Sequence, residues 1–142
     1  MLVRCLYASR AAVPTDGQAL QSILAQSRRN NPKFGITGLL VFSNGHFIQV
    51  LEGGRQDVCR LFSRIVGDAR NTGVEILSFK EIAERRFGNW NMGQASMASL
   101  NPALLLKYSE RAELDPFKCG GEATMALLFE IAEAGAVANC AS

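Results

Sequence analysis

Two polar side chains stand out in this sequence because their surroundings are apolar. Gln49 lies inside Phe47-Ile48-Gln49-Val50-Leu51, and Tyr7 near the end of Leu2-Val3-Arg4-Cys5-Leu6-Tyr7-Ala8-Ser9. Strand alternation places Gln49 with Phe47 and Leu51 on one face, and Tyr7 with Val3, Cys5 and Ser9. A buried amide left unpaired costs about 1–3 kcal/mol. If the two strands are neighbours, a phenol and an amide can satisfy one another, since an amide both donates and accepts. Such a pair is either a satisfied core contact or one wall of a ligand site.

Other groups add to the second possibility. Asn30-Asn31 closes the first helical stretch. These amides either cap a helix or match the alternating donor and acceptor edge of a uracil-like ring. Arg64, Asp68 and Arg70 cluster at the end of a second helical stretch. They form either a solvated helix end or a contact to phosphate through the arginine fork. His46, the only histidine, follows a turn and reads as exposed rather than catalytic.

The elements that must carry these residues can be read from pattern. Leu2 to Ser9 reads as a strand. Pro14 to Gln18 opens a helix, with Thr15 and Gln18 at capping-box spacing, and Leu20, Ile23, Leu24 and Ser27 follow at helical intervals. That helix should end near Asn30-Asn31-Pro32, because proline disfavours helix in the residue before it. Ile36 to Ser43 and His46 to Glu52 read as a hairpin across Asn44-Gly45. Val58, Leu61, Phe62, Ile65 and Val66 form an amphipathic helix that stops around Arg70 to Gly73. Val74 to Ala83 and Trp90 to Ser96 complete the strands.

The order βαββαββ implies a ferredoxin-like α+β sandwich with both helices over one sheet face. In that topology the first and third strands are central neighbours, so Tyr7 and Gln49 can meet. Leu2, Leu6, Ile48 and Val50 leave the other sheet face apolar. Pro102 to Tyr108, a turn of helix at Asp115-Pro116, and Glu122 to Ala138, with Met125, Leu128, Phe129 and Ala132 as its stripe, are expected to cap it. Residues 1–97 thus read as the ligand-binding domain and 98–142 as a helical extension packed on the sheet.

The composition is that of an ordinary globular chain. The 142 residues suit one domain unit, and a net charge of +2 is too small to point to nucleic acid or a membrane surface. No apolar run reaches the roughly 18 residues a membrane span requires, and the N-terminus lacks signal-peptide organisation. The expectation is a cytoplasmic protein. Cys5, Cys59, Cys119 and Cys140 are scattered and read as reduced, mostly buried thiols rather than zinc ligands.

Taken together, Leu6-Tyr7-Ala8-Ser9, Ser27 to Asn31, Gly35 to Leu40, Gly45 to Gly53, Asp68-Ala69-Arg70 and Arg85 to Met92 resemble the BLUF domain, a sensor of blue light using FAD. The resemblance covers about two-thirds of the chain. It implies non-covalent FAD held between the two helices, over the sheet. It assigns Tyr7 as the photoactive tyrosine and Gln49 as the glutamine linking it to the flavin. Asn31 matches the asparagine at the ring's polar edge, and Asn30 a position that relatives fill with asparagine or histidine. Ile23 and Ile65 match the residues flanking the ring, while Ser27, Phe47, Arg64, Asp68 and Arg70 match positions near the cofactor. Trp90 and Met92 match a reporting pair on the fifth strand. Asn71 stands where a histidine is common.

The resemblance further implies a light-driven loss of an electron and a proton from Tyr7, reversed quickly, that leaves Gln49 rotated, tautomerised or both. With no output enzyme in the chain, the expected partner is a separate effector protein, of the kind that handles cyclic dinucleotides as enzyme or regulator, or the protein's own oligomer. The competing reading is a flavin-dependent oxidoreductase on the same scaffold, for which the sequence offers no distinctive acid–base group.

Overall fold

The computed structural model describes residues 1–12, 18–96 and 100–134. Its elements are β1 (Leu2–Ala11), α1 (Gln18–Asn30), β2 (Thr37–Ser43), β3 (His46–Gly54), α2 (Arg55–Val66), β4 (Asn71–Ile82), β5 (Gly93–Ser96), α3 (Pro102–Tyr108), α4 (Pro116–Cys119) and α5 (Gly121–Glu133). A 3-10 turn, Asn31–Phe34, joins α1 to the second strand. The strands form one mixed sheet in the order β4-β1-β3-β2-β5. All neighbours are antiparallel except β2 and β5. This is the expected α+β sandwich.

Local chemistry explains most of the boundaries. Asn44 and Gly45 both take positive φ, 51° and 78°, which is what a two-residue hairpin needs to follow the strand twist. Pro32 stops α1 and opens the 3-10 turn. Gly38 is required by packing: a Cβ there would come within 2.1 Å of the Val50 carbonyl oxygen. The α2 helix ends at Val66, four residues earlier than its pattern suggested, because Gly67 closes it and Asp68-Ala69-Arg70 turns back toward the sheet. The helix start expected at Pro14 to Gly17 lies outside the described residues.

The sheet separates two apolar cores. On one face Val3, Cys5, Tyr7, Leu40, Phe47, Leu51 and Met92 pack with Leu20 and Leu24 of α1 and Val58 of α2. On the other, Leu6, Ala8, Leu39, Val41, Ile48 and Val50 pack against Leu105, Met125, Leu128 and Ile131 of the C-terminal helices and Leu114 of the loop before α4. Side-chain oxygens of Asn101 and Asp115 cap α3 and α4. The tail therefore covers the face that the first two helices leave bare.

A buried charge ties the two layers together. Glu52 of β3 is fully buried and accepts from Arg4 Nε at 2.8 Å and from the backbone N–H groups of Arg86 and Phe87. Phe87 stacks on Phe129 of α5, and the Arg4 and Arg86 guanidinium groups lie over the same ring. The segment between β4 and β5 is thus anchored at its start.

Two sequence expectations fail here. The fifth strand is only Gly93–Ser96, so Trp90 and Met92 precede it rather than lie on it. Among the described cysteines only Cys5 is buried, Cys59 is exposed and Cys119 is intermediate, while Cys140 lies outside the described residues.

Candidate functional site

A cavity opens between α1 and α2, above the central strands. Its origin is visible in α2. That helix has a strong apolar stripe, yet of its residues only Val58 is buried. Leu61, Phe62 and Ile65 are only partly covered, because the helix is held off the sheet at that end. Apolar surface left uncovered beside a few convergent polar groups is the usual form of a small-molecule site.

Tyr7, Ile23, Ser27, Asn30, Asn31, Phe47, Gln49, Arg64, Ile65, Asp68 and Arg70 all line this one cavity. They come from four elements, β1, α1, β3 and α2, and two turns, and the fold alone brings them together. Gln26, Phe34, Ile36, Leu40, Asp57, Arg60 and Leu61 line it as well. The helix period offered a signal for Asp57, Arg60 and Leu61, which share a face of α2 with Arg64. The same period on α1 offered a signal for Gln26, which shares a face with Ile23, Ser27 and Asn30.

At the floor, Tyr7 and Gln49 are register partners of β1 and β3. The Tyr7 hydroxyl donates to Gln49 Oε1. Both side chains are buried, and the Phe62 ring meets Tyr7 edge-on at 5.6 Å. Burial pushes the Tyr7 phenol well above its ordinary range, and the nearby Cys5 and Asp68 push the same way. Tyr7 is therefore a neutral donor. Burial also pushes the Cys5 thiol up to about 12, which leaves it inert as a nucleophile.

The other side of Gln49 leads out of the floor. Its Nε2 donates to Met92 Sδ at 3.2 Å. The segment before β5 is held by three more bonds: Asn31 Nδ2 to Asn91 O at 2.9 Å, Arg28 Nε to Met92 O at 3.1 Å, and Gly38 N to Trp90 O at 3.1 Å. Met92 belongs to the core on the cavity side, whereas Trp90 packs against the opposite core. The two residues thus lie on different faces of the sheet. Asn31 spends its amide nitrogen on this segment and keeps its carbonyl oxygen as an acceptor beside the cavity.

The rim is polar. Arg70 Nε meets both oxygens of Asp68 at 3.0 and 3.1 Å, and Nη2 reaches Asp68 at 2.5 Å and Gln26 Oε1 at 2.9 Å. These bonds hold the Asp68 carboxyl below its ordinary range. Arg70 is thus largely committed to a latch between the turn after α2 and α1. Arg60 and Arg64 line the rim and make no ion pair among the described residues. Asn71 reaches the cavity, but its Nδ2 is taken by the Ile65 and Asp68 carbonyls.

His46 plays no part in the cavity. It is half-buried rather than exposed, with its ring edge-on to Phe117 at 5.2 Å. Among the described residues no group of His, Cys, Asp and Glu could hold a metal ion. The donor set, with amides on the floor and along one side, aliphatic walls from Ile23 and Ile65, and arginines at the mouth, fits a flat heteroaromatic ring with a polar edge and an anionic tail.

Comparison with known proteins agrees with that chemistry. Residues 2–93 match the family model described as "BLUF: Sensors of blue-light using FAD". A photoactivated adenylate cyclase subunit beta-like protein FB of Euglena gracilis is 33% identical over 100 residues, covering 70% of this chain and 12% of that protein. The dark-state structure of BlrB, a BLUF protein, superposes with a TM-score of 0.80 at 31% identity, covering 94% of this chain and 96% of that one. BlrP1 of Klebsiella pneumoniae, in a complex with calcium and cy-diGMP, gives 0.70 at 28% identity, covering 95% of this chain and 34% of that one. The chain spans only about an eighth of the cyclase relative and a third of BlrP1.

Proposed function

The chain belongs to the BLUF family of flavin-binding blue-light sensors, and from that premise we propose that it is a photoreceptor that binds FAD non-covalently and switches through Tyr7 and Gln49. The observation that carries this reading is the hydrogen-bonded Tyr7–Gln49 pair on the floor of a cavity with an apolar wall and amide donors. The geometry favours a sensor over an oxidoreductase, because the only histidine lies outside the cavity.

Asn30, Asn31 and Gln49 would hold the polar edge of the ring, Ile23 and Ile65 its faces, and Arg64 the anionic tail, with Ser27, Phe47, Asp68 and Arg70 closing around it. When bound, the flavin supplies the absorption of blue light and an electron acceptor. Tyr7 contributes an oxidisable neutral phenol whose hydroxyl proton already points at Gln49 Oε1. Electron and proton would leave Tyr7 together and return to it, so the phenol is restored and there is no net oxidation or reduction. Gln49 retains the record of the event. Turning or tautomerising its amide reverses which side donates, and the hydrogen bond it offers the ring changes.

Residues 1–97 act as the flavin-binding unit and 98–142 as the cap that passes the change on. The Asn91-Met92 segment, bonded to Gln49, Asn31 and Arg28, supports Met92 as the first relay residue. Trp90, on the opposite core, is the second. The receiver is a separate effector in the cytoplasm, of the class that makes, breaks or reads cyclic nucleotides, as the cyclase and cy-diGMP relatives suggest.

One absorption spectrum tests the reading. The purified protein should be yellow, shift slightly to the red under blue light and recover in darkness. A protein that takes up no flavin, or one bleached only by an added substrate, sinks it.

A further inference from the structure

The exposed apolar side chains are concentrated on one side of the molecule. Of the six large hydrophobic residues exposed among the described residues, Met1, Val66, Ile76 and Phe79 lie where α2 flanks the outer edge of β4. Arg55 of α2 sits over the Phe79 ring and bonds Met1. Phe62 lies against Tyr7, whose β4 neighbour is Ile76. Val66 continues that stripe one turn on. The strand beside it is the outermost of the sheet and runs for twelve residues. A long edge of this kind invites pairing with another strand.

The sequence of β4 is complementary to itself. Reversing it end for end about a point between Leu77 and Ser78 exchanges Glu75 with Lys80 and Ile76 with Phe79. In a regular strand this exchange would fail, because residues three apart face opposite ways. Here the register against β1 shifts between Ser78 and Ile76. The extra residue brings Ile76 and Phe79 to the same face, opposite Tyr7 and Cys5, and Glu75 and Lys80 to the other, opposite Ala8 and Arg4. The bulge thus supplies the parity that a two-fold axis through the edge demands.

We infer that the β4 edge is a homodimer interface, in which a second copy of this chain lies antiparallel about a two-fold axis between Leu77 and Ser78. Ile76 packs on Phe79 of the partner subunit, and Glu75 opposes Lys80 of the partner subunit, each twice. Val66 and Met1 extend the apolar contact along α2. The bulge interrupts any continuous ladder at the axis, and Gly121 closes on the Leu77 carbonyl so tightly that a Cβ would come within 2.2 Å. Side chains therefore set the pairing. Assembly stops at two, because the opposite edge is the four-residue β5. This surface lies outside the cavity and is independent of what the cavity holds.

Sedimentation equilibrium of the full chain tests the interface with Glu75→Lys and Lys80→Glu. Both sites are exposed, so the fold should persist. The unaltered chain should dimerise, and each variant alone should associate at least about tenfold more weakly. An equimolar mixture of the two should regain the original affinity, since both pairs are then complementary. Ile76→Ser should weaken the dimer with no such rescue by either charge variant. A monomeric parent chain overturns the proposal, as do variants that dimerise like the parent. A mixture that fails to recover overturns the register.

Discussion

Tyr7 and Gln49 stand directly opposite one another on antiparallel strands, and the phenol donates to the glutamine carbonyl oxygen. That bond turns the amide nitrogen toward Met92 Sδ, 3.2 Å away. The orientation of one side chain is therefore fixed from two sides, by a donor from β1 and an acceptor just before β5. Turning the amide would break both contacts at once, which is what makes the pair suited to a two-position switch.

Removing the donor separates binding from switching. Tyr7→Phe should retain flavin and lose the light-induced red shift. It deletes one buried hydrogen bond and leaves Gln49 Oε1 unpaired, so the melting free energy should fall by about 1–3 kcal/mol. Light–dark difference spectra of the variant decide it, and an intact photocycle would exclude Tyr7 from the chemistry.

The sulfur acceptor can be isolated from its bulk. Met92→Leu keeps volume in a fully buried position and should cost under about 1.5 kcal/mol. It removes the sulfur acceptor of Gln49 Nε2, so the dark recovery rate should change while the amount of bound flavin does not. Trp90→Phe, on the opposite core, should leave the dark absorption spectrum where it is. Flash-photolysis recovery traces of both variants give the comparison.

Glu52→Gln probes the anchor of the relay segment. It strands the buried Arg4 guanidinium and weakens the bonds to the Arg86 and Phe87 backbone. Breaking a buried pair in this way costs about 3–5 kcal/mol. Chemical denaturation should register a loss of that size. A loss below about 1 kcal/mol would mean that Arg4 finds another partner.

The pH response follows from the buried phenol. Because the folded value of Tyr7 is raised, its contribution to stability is fully present below the unfolded value of about 10 and is lost as pH rises through the higher folded one. Between about pH 6 and 9 the amplitude of the red shift should not change on account of Tyr7. Asp68 behaves oppositely. Its lowered value makes the latch to Arg70 present above about pH 4 and lost as pH falls through the depressed value. Chemical denaturation from about pH 3 to 11, with Tyr7→Phe and Asp68→Asn as controls, checks both signs, and difference spectra between about pH 6 and 9 check the constant amplitude.

Much of the site was legible before any coordinates. Period-two alternation put Tyr7 and Gln49 on covered faces, Asn44-Gly45 set the hairpin, and the βαββ order made β1 and β3 neighbours. Other parts were hidden for identifiable reasons. Gln26 reads as an ordinary polar residue of α1, and its bond from Arg70 Nη2 joins residues 44 apart in the chain. Arg70 looked free to meet a phosphate, whereas the turn after Gly67 commits it to Asp68.

Trp90 and Met92 mark the boundary most clearly. Residues two apart share a face only if the backbone between them is a strand, and the sequence alone could determine that spacing but not that backbone. The bonds from Gly38, Asn31 and Arg28 hold this segment out of the ladder until Gly93, so the two side chains enter different cores. Sequence by itself determined most of the elements, the two apolar faces and the meeting of Tyr7 with Gln49 on one of them, because those follow from local periodicity and residue chemistry. Tertiary structure alone decided where helix α2 stands off the sheet, which arginine is free and which side Met92 faces, because each depends on contacts between residues distant in the chain.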